Sequence, residues 1–415
     1  MSLKQVLYIS YDGLTDPLGQ SQILPYLVGL SKLGYVFSII TCEKPGRFEE
    51  GRKHIESICM ENGISWYPLI YHKKPPVLST IRDIIGIRKL AFQLHAKKNF
   101  ALVHCRSYIS ALVGLAFKRK KQVPFIFDMR GFWADERIDG GIWNLSNPVY
   151  RLVYHFFKSK EAAFIQFSDV IISLTESGKQ VIHTWPTMAH SKKIMVIPCC
   201  VDMDLFNRRS LDESKIQELK TGLDAELIIG YYGSLGTWYQ LEEMLDQIVA
   251  IRQKYPRAKL LVVTKDIWEK SHQSMAFKKG LDETTIVVKS AERREMPYYM
   301  AIADFSIFFI QTCFSKLASS PTKHGEIMSM GLPLMANAGV GDVDKIIHDS
   351  KSGCIVHPLN AVGYQQAVEA IPSLLELNAD LIREACTRVY SLEHGLSKYA
   401  EAYQLALKNT GSTLI

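Results

Sequence analysis

No apolar run in this 415-residue sequence is long enough to cross a bilayer. The longest, such as "FSIFFI" and "DVIISL", fall well short of the roughly 18 to 20 residues that a helical span needs. The opening "MSLKQVLYIS" enters a strand-like run at once and lacks the layout of a cleavable signal, so a cytosolic protein is expected. The eight cysteines show neither disulfide nor zinc spacing: Cys199 and Cys200 are adjacent, and Cys42, Cys59, Cys105, Cys313 and Cys354 lie in or beside apolar runs. Buried, reduced thiols and no metal site are expected. A Ser-His-Asp order, a Gly-x-Ser-x-Gly elbow, a Walker loop and a His/Cys metal cluster are all missing, which weighs against hydrolases and nucleotide-hydrolysing enzymes. Neither a short-period repeat nor a low-complexity tract is found.

What is present is ordinary in bulk and uneven in charge. Apolar residues make up 47% and charged residues 22%, typical of a globular chain, and the length suits about two domains. Residues 1–200 carry 26 Lys and Arg against 15 Asp and Glu, a balance of +11, whereas residues 201–415 carry 23 against 27, a balance of −4. The first half is therefore expected to meet something anionic: a membrane surface, a polyanionic acceptor or nucleic acid. Nucleic acid is disfavoured, because the aromatics follow strand periodicity and no binding module is recognisable.

Short β-branched runs alternate with helical patterns along the first half: "VLYIS", a helix from about Gln20 to Leu33, "YVFSIIT", a helix from about Phe48 to Asn62, "ISWYPL", a basic helix from about Thr80 to Lys98, "LVHC", "PFIFDMR", "VIISL" and "IMVIP". After a polar linker near residues 207–224 the rhythm restarts with "LIIGYYG", "AKLLVV", "TIVVK", "FSIFFI", "LPLMA" and "CIV", and helices close the chain. This is the pattern of two doubly wound α/β units, whose carboxyl-end crevices would face a shared central cleft.

Four stretches could carry chemistry. "SYDGLTDPLGQSQ" follows the first strand, and Gly13 and Gly19 would let a ligand approach a helix start near Gln20. "FDMRGFWADE" gathers Asp128, Arg130, Trp133, Asp135 and Glu136 at the end of a strand, a mix of carboxylate, guanidinium and aromatic ring that suits a sugar, or else a structural ion pair with Trp133 in the core. "HCRSY" adds Arg106, able to hold a phosphate, and His104, read as a satisfied strand-end histidine. "ASSPTKHGEIMSMGLP" places Glu326 in the first turn or so of a helix that Thr322 would cap, with Lys323 beside it and small residues Ser319 and Ser320 before it. Lys118–Lys121 read either as dipole complementation at a helix end or, with Lys73, Lys74, Lys97 and Lys98, as peripheral attraction to an anionic membrane.

Assembled, these stretches resemble the retaining glycosyltransferases of family 4, with the GT-B fold of two Rossmann-like domains. The likeness covers nearly the whole chain and rests on "DGLTDPLGQSQILPYLVGLSKLGY", "PFIFDMRGFWADE", "IMVIPCCVDMDLF", "YYGSLGTWYQLEEML", "MPYYMAIADFSIFF", "GEIMSMGLPLMAN" and "DSKSGCIVHP". It implies an acceptor-side domain over residues 1–205, joined by a C-terminal helix of about residues 390–415, and a nucleotide-sugar-binding domain over 206–389. It implies a hexosyltransferase-type enzyme of polysaccharide biosynthesis that takes a nucleotide-sugar as substrate and a glycan or lipid-linked acceptor, needs no metal or other cofactor, and works in the cytoplasm or peripherally at the inner membrane face. Glu326 corresponds to the second glutamate of the family's Glu-x7-Glu pair and would accept both ribose hydroxyls. Three positions depart: Ala318 stands where the first glutamate is, and Ser234 and Tyr239 stand where the basic pair of the segment opening at Gly233 is.

The diphosphate would then fall to Lys323, the N–H groups of its helix and the Gly19 loop, with Lys265 and Arg293 adding positive charge. Ser319, Ser320 or Thr322 would stand in for the missing glutamate at the sugar. Arg130 falls where many relatives place a histidine that meets the donor sugar, and with Asp128 would position sugar hydroxyls. Arg106, Trp133, Asp135 and Glu136 would line the acceptor. Two other classes stay open: a non-catalytic relative, on the strength of the three departures, and a sugar-nucleotide epimerase. The donor, the acceptor, the linkage and the oligomeric state are not legible in the sequence.

Overall fold

The computed structural model describes residues 4–188 and 193–408. Contacts divide the chain into two units, Met1–Pro198 with Leu392–Ile415, and Cys199–Ser391. Residues 409–415 of the expected C-terminal helix lie outside the described residues, as do residues 1–3.

In the first unit the order is β1 (Lys4–Ser10), α1 (Pro17–Gln22), α2 (Leu24–Ser31), β2 (Tyr35–Glu43), α3 (Pro45–Glu61), β3 (Ser65–Ile70) and α4 (Leu78–Lys98). It continues with β4 (Leu102–Arg106), α5 (Ser107–Lys121), β5 (Phe125–Asp128), α6 (Trp133–Asp139), α7 (Pro148–Phe167), β6 (Val170–Ser173), α8 (Glu176–His183) and β7 (Ile194–Val196). The second unit runs α9 (Glu213–Thr221), β8 (Leu227–Tyr232), α10 (Leu241–Lys254), β9 (Ala258–Val263), α11 (Lys270–Lys278), β10 (Ile286–Lys289), α12 (Met296–Ala301) and β11 (Phe305–Phe308). Then come α13 (Thr322–Ser329), β12 (Leu334–Asn337), α14 (Val343–Ser350), β13 (Gly353–Val356), α15 (Ala361–Leu375) and α16 (Ala379–Tyr390), before α17 (Leu392–Lys408) returns to the first unit.

The sheets are ordered β3-β2-β1-β4-β5-β6-β7 and β10-β9-β8-β11-β12-β13, every named pair parallel. Both therefore reverse direction beside their first strand, between β1 and β4 and between β8 and β11, which is where doubly wound folds open a crevice. Central strands such as β8 are buried throughout, as a sheet covered by helices on both faces requires. This is the expected two-domain GT-B architecture.

The local differences have local causes. The helix expected from about Gln20 to Leu33 is two, beginning at Pro17 and broken at Ile23 (φ −128°, ψ −62°), because Pro25 lacks the N–H needed to continue a helix and instead occupies the first turn of α2. Gly19 is thus inside α1, where a Cβ would come within 2.0 Å of the Gly13 carbonyl oxygen. The polar linker contains α9, capped by Asp212 through Ser214 N and burying only Ile216, too little apolar surface to leave a periodic signal. The eight cysteines are all free thiols, and no helix among the described residues is long and apolar enough to cross a membrane.

Candidate functional site

At the switch point of the second sheet, β8 runs out into Gly233, held at φ +111°, a conformation glycine adopts without strain. Facing it is α13. Pro321, its ring fixing φ at −66°, takes the N-cap position without a side-chain bond, so Thr322 is the first helical residue and not the cap, and Glu326 stands in the second turn and not the first. The N–H groups of Thr322 and Lys323 head the helix, where no intrahelical carbonyl reaches them.

Lys323 is buried among rings. Its Nζ lies 3.7 Å from the centroid of Tyr239, 4.4 Å from that of Tyr231 and 5.9 Å from that of Phe308, and donates to Tyr231 Oη at 3.4 Å. A Cβ on Gly233 would meet that Nζ at 3.3 Å. Burial pulls the Lys323 pKa down to about 7, against the opposing pull of the Glu326 carboxylate. The ammonium thus stands directly on the ring of Tyr239, one of the two positions where the expected cations are missing.

Glu326 accepts from Arg293 Nη1 at 2.9 Å through Oε1, and the Arg293 guanidinium lies 5.2 Å from the Phe206 ring centre. Burial raises the Glu326 pKa, while Arg293 and then Lys323 oppose the rise. The neighbouring Glu292 pairs with Lys265 at 2.8 Å, so the loops after β9 and β10 present two cations on one rim. Lys265 and Glu292 are both well exposed, and such a pair adds little stability.

Other expected donor residues have other work. Ser234 Oγ donates to Asp266 Oδ2 at 2.7 Å, and the same oxygen accepts from Leu235 N at 2.7 Å, which fixes the loop after β8. Ser320 Oγ accepts from Cys199 N at 3.1 Å. Ser319 and Thr322 remain partly exposed beside Lys323, and Ala318 is buried. The Gly19 loop belongs to the first unit, and two of its N–H groups are already taken from within. Leu14 N and Thr15 N donate to the buried Glu43 carboxylate at 2.7 and 3.1 Å, and Thr15 Oγ1 donates to it at 2.5 Å. A carboxylate from β2 already occupies the anion nest.

In the first unit the strand ends after β4 and β5 meet. Asp128 is sealed: Oδ2 accepts from Tyr399 Oη at 3.0 Å and faces His104 Nε2 at 3.3 Å, with no surface left for a sugar hydroxyl. Burial alone would raise its pKa, but Arg130, His104 and Arg106 overcome that and hold it below the usual carboxylate range. His104 is satisfied as expected, its Nδ1 bonded to Tyr403 Oη at 2.8 Å and its ring 4.3 Å from that of Tyr8. Arg106 is 4% exposed and its Nε lies 3.6 Å from Asp12 Oδ2. Arg130 adopts φ +56° and Ser107 φ +65°, left-handed conformations that non-glycine residues seldom keep without a reason.

Two further residues from "FDMRGFWADE" are structural. Asp135 accepts from Tyr154 Oη and from Lys158 Nζ, both at 2.9 Å, tying α6 to α7. Trp133 packs against Tyr108, Trp143 and Phe157, with ring centres 5.7, 5.3 and 4.9 Å away. Asp135 is thereby buried and spent on helix pairing, which corrects the expectation that it lines an acceptor, whereas Trp133 is only partly buried. Glu136 stays partly exposed in the first turn of α6. Among the described residues no group of three or more His, Cys, Asp or Glu is placed to hold a metal ion.

Sequence reasoning missed Tyr231, Tyr399 and Tyr403. Tyr239 was noted only as a departure, though its ring is the platform for Lys323. Tyr399 and Tyr403 lie about 270 to 300 residues from the partners they bond, and no local spacing could point to them.

The model of glycosyltransferase family 4 matches residues 26–205, and the model of the glycosyl transferases group 1 matches residues 214–388. No curated protein matches the chain in sequence. Among solved structures, a glycosyltransferase from Rickettsia africae ESF-5 aligns with a TM-score of 0.73 at 17% identity, over 98% of this chain and 99% of that one. Sucrose-phosphate synthase from Thermosynechococcus elongatus aligns at 0.70 and 14% identity, over 98% and 100%. HepE from Anabaena, in complex with UDP and glucose, aligns at 0.68 and 13% identity, over 96% and 99%. At these identities the likeness to solved structures speaks for the fold.

Proposed function

The chain belongs to the family-4-type glycosyltransferases of the GT-B fold, and from that premise we propose that it transfers a hexosyl group, with retention, from a nucleotide-sugar to a glycan or lipid-linked acceptor in bacterial surface-polysaccharide synthesis. The observation that carries the donor side is the caged Lys323 at the Gly233 crevice, with the head of α13 behind it. The acceptor assignment is supported by the +11 balance of residues 1–200, which suits a substrate presented at the anionic inner face of a membrane.

In this reading the bond between the sugar C1 and the diphosphate oxygen breaks, and its electron pair goes to the phosphate. Lys323 and the α13 N–H groups meet that growing charge without reorganising, and fixed electrostatics of this kind is commonly the largest catalytic contribution. No divalent cation is required. The acceptor oxygen bonds to C1 from the face the leaving group vacates, and the departing phosphate takes its proton. Glu326, paired with Arg293 through Oε1, has Oε2 left to accept the ribose hydroxyls. Lys265 extends the positive rim, and Ser319 and Thr322 lie on the sugar side. On the acceptor side, Arg106 and Arg130 at the strained ends of β4 and β5 supply charge for an anionic group.

A thermal-shift panel with UDP, GDP, ADP and CMP, each with and without its common sugars, tests this. UDP comes first because HepE, which shares the fold, is in complex with it. One nucleotide should stabilise the protein by about 2.7 kcal/mol at a hundredfold excess over its dissociation constant, and Glu326→Ala should abolish the shift. A second reading, a non-catalytic relative, is favoured by Ala318, whose position holds no carboxylate. Silence across the panel would favour that reading instead, and turnover of the donor without any acceptor would point to an epimerase.

A further inference from the structure

The outer surface of α4 and the end of α5 has no part in the site just described. α4 buries Ser79, Asp83, Ile87, Ala91 and Leu94 against its own unit, so the opposite stripe faces outward. On a surface helix that stripe is ordinarily polar. Here it carries Leu78, Ile81 and Ile85, exposed to 65, 47 and 62% and spaced three and four apart, which aligns them on one face.

Basic residues surround the stripe. α4 and α5 together hold nine Lys and Arg and one acid, Asp83. That acid is buried, accepting from Tyr11 Oη at 2.9 Å and contacting His72 Nδ1 at 2.5 Å, so it neutralises nothing outside. At the end of α5, Lys118 pairs with Asp169 at 2.6 Å and Arg119 stacks 4.8 Å from Phe167. Lys120 and Lys121 instead join Ile85, Arg88, Lys89 and Phe92 around a groove of about 690 Å³. Complementing the α5 dipole accounts for a cation at that helix end. It does not account for two helices contributing four cations to one groove, or for an exposed aliphatic stripe beside it.

We propose that α4 and the end of α5 dock the protein on an anionic bilayer, the groove taking a phospholipid phosphate while Leu78, Ile81 and Ile85 enter the boundary between headgroups and acyl chains. Charge complementarity selects this occupant. Two copies of so basic a face repel each other, and a polynucleotide offers nothing to three aliphatic side chains, whereas an anionic interface satisfies both halves of the surface. The inference is independent of the transfer reaction, because adsorption needs neither donor nor acceptor.

The test is flotation of the full chain with vesicles of phosphatidylcholine alone or with about 30% phosphatidylglycerol. Binding is expected to the mixed vesicles only, and to weaken steeply as salt shortens the range of the attraction. The combined Arg88→Glu, Lys89→Glu, Lys120→Glu and Lys121→Glu variant should bind at least about tenfold more weakly, since each cation near an anionic surface contributes several-fold. The Ile81→Asn, Ile85→Asn variant should lose about a hundredfold, since burial of each large aliphatic side chain contributes about tenfold or more. These positions are exposed, so circular dichroism and melting should match the parent. Equal binding to both vesicle types, or an unchanged charge variant, would overturn the proposal. So would an unchanged aliphatic variant whose vesicle binding heparin removes, which would mark a site for soluble polyanions. A dimer in light scattering that the aliphatic variant dissociates, with no vesicle binding, would make the face an interface between copies.

Discussion

Lys323→Met is expected to lower transferase activity by about two to three orders of magnitude, the scale of removing one fixed stabiliser of transition-state charge, and at the same time to make the protein more stable. The two effects share a cause. In the unfolded chain a lysine titrates near 10.4, whereas burial among Tyr231, Tyr239 and Phe308 brings Lys323 down to about 7. The unfolded state therefore binds the proton more tightly. Stability conferred by the neutral amine is present above pH 10, falls as pH drops from about 10 to 7, and is flat below that. At neutral pH the penalty is about 4 kcal/mol at most, from a shift of roughly three units at 1.36 kcal/mol each. Met fits the same cage without a charge, and urea denaturation should show a gain of about 2 to 4 kcal/mol at pH 7 that disappears near pH 10. Binding of a nucleoside diphosphate should also draw in close to one proton at about pH 8, read by calorimetry in buffers of different ionisation enthalpy, and not in the variant. Full transfer activity in Lys323→Met would remove this residue from the mechanism. A loss of stability would show that its cage is built for the charged form.

Asp128→Ala is expected to destabilise the first unit by about 3 to 5 kcal/mol, the cost of removing one member of a buried ionic network and leaving the others unpaired. Its carboxylate is fully buried, bonded by Tyr399 from α17, faced by His104 and flanked by the charges of Arg130 and Arg106. Because its folded pKa lies below the unfolded value, this stabilisation is complete above about pH 4 and is lost as pH falls through the folded pKa. Four of the six tryptophans, Trp66, Trp133, Trp143 and Trp185, lie in the first unit, so their fluorescence in urea follows the relevant transition. The same residue read from the sequence as a sugar-positioning group makes the opposite prediction, because a carboxylate held ready for a ligand is removed at little cost to stability. A change under about 1 kcal/mol, with activity lost, would restore that role.

How much could be read in advance depended on how local the cause was. β-branched runs separated by helical patterns fix the doubly wound class, because strand burial and helix amphipathicity are written within a dozen residues. The sequence also marked Glu326, Lys323 and Arg293 by type. Their meeting was not legible: Arg293 and Glu326 are 33 positions apart and pair only because the loop after β10 and the helix after β11 open on the same sheet edge. Glycine-rich loops were less trustworthy. The loop before Gly19 carried two glycines and a helix start, a weak sign of an anion cradle and equally that of an ordinary turn, and Glu43, 28 residues beyond Thr15, fills it from within. Asp135 and Trp133 had ligand-like chemistry and were claimed by α7 for the same reason.

The sequence by itself determined the architecture, the family and the sign of charge on each half, since these follow from periodicity and composition summed over many residues. Which polar groups face a ligand was decided by tertiary structure alone. A carboxylate, an amide or a lysine has the same affinity for an internal partner as for a substrate, and only packing settles which of the two is within 3 Å.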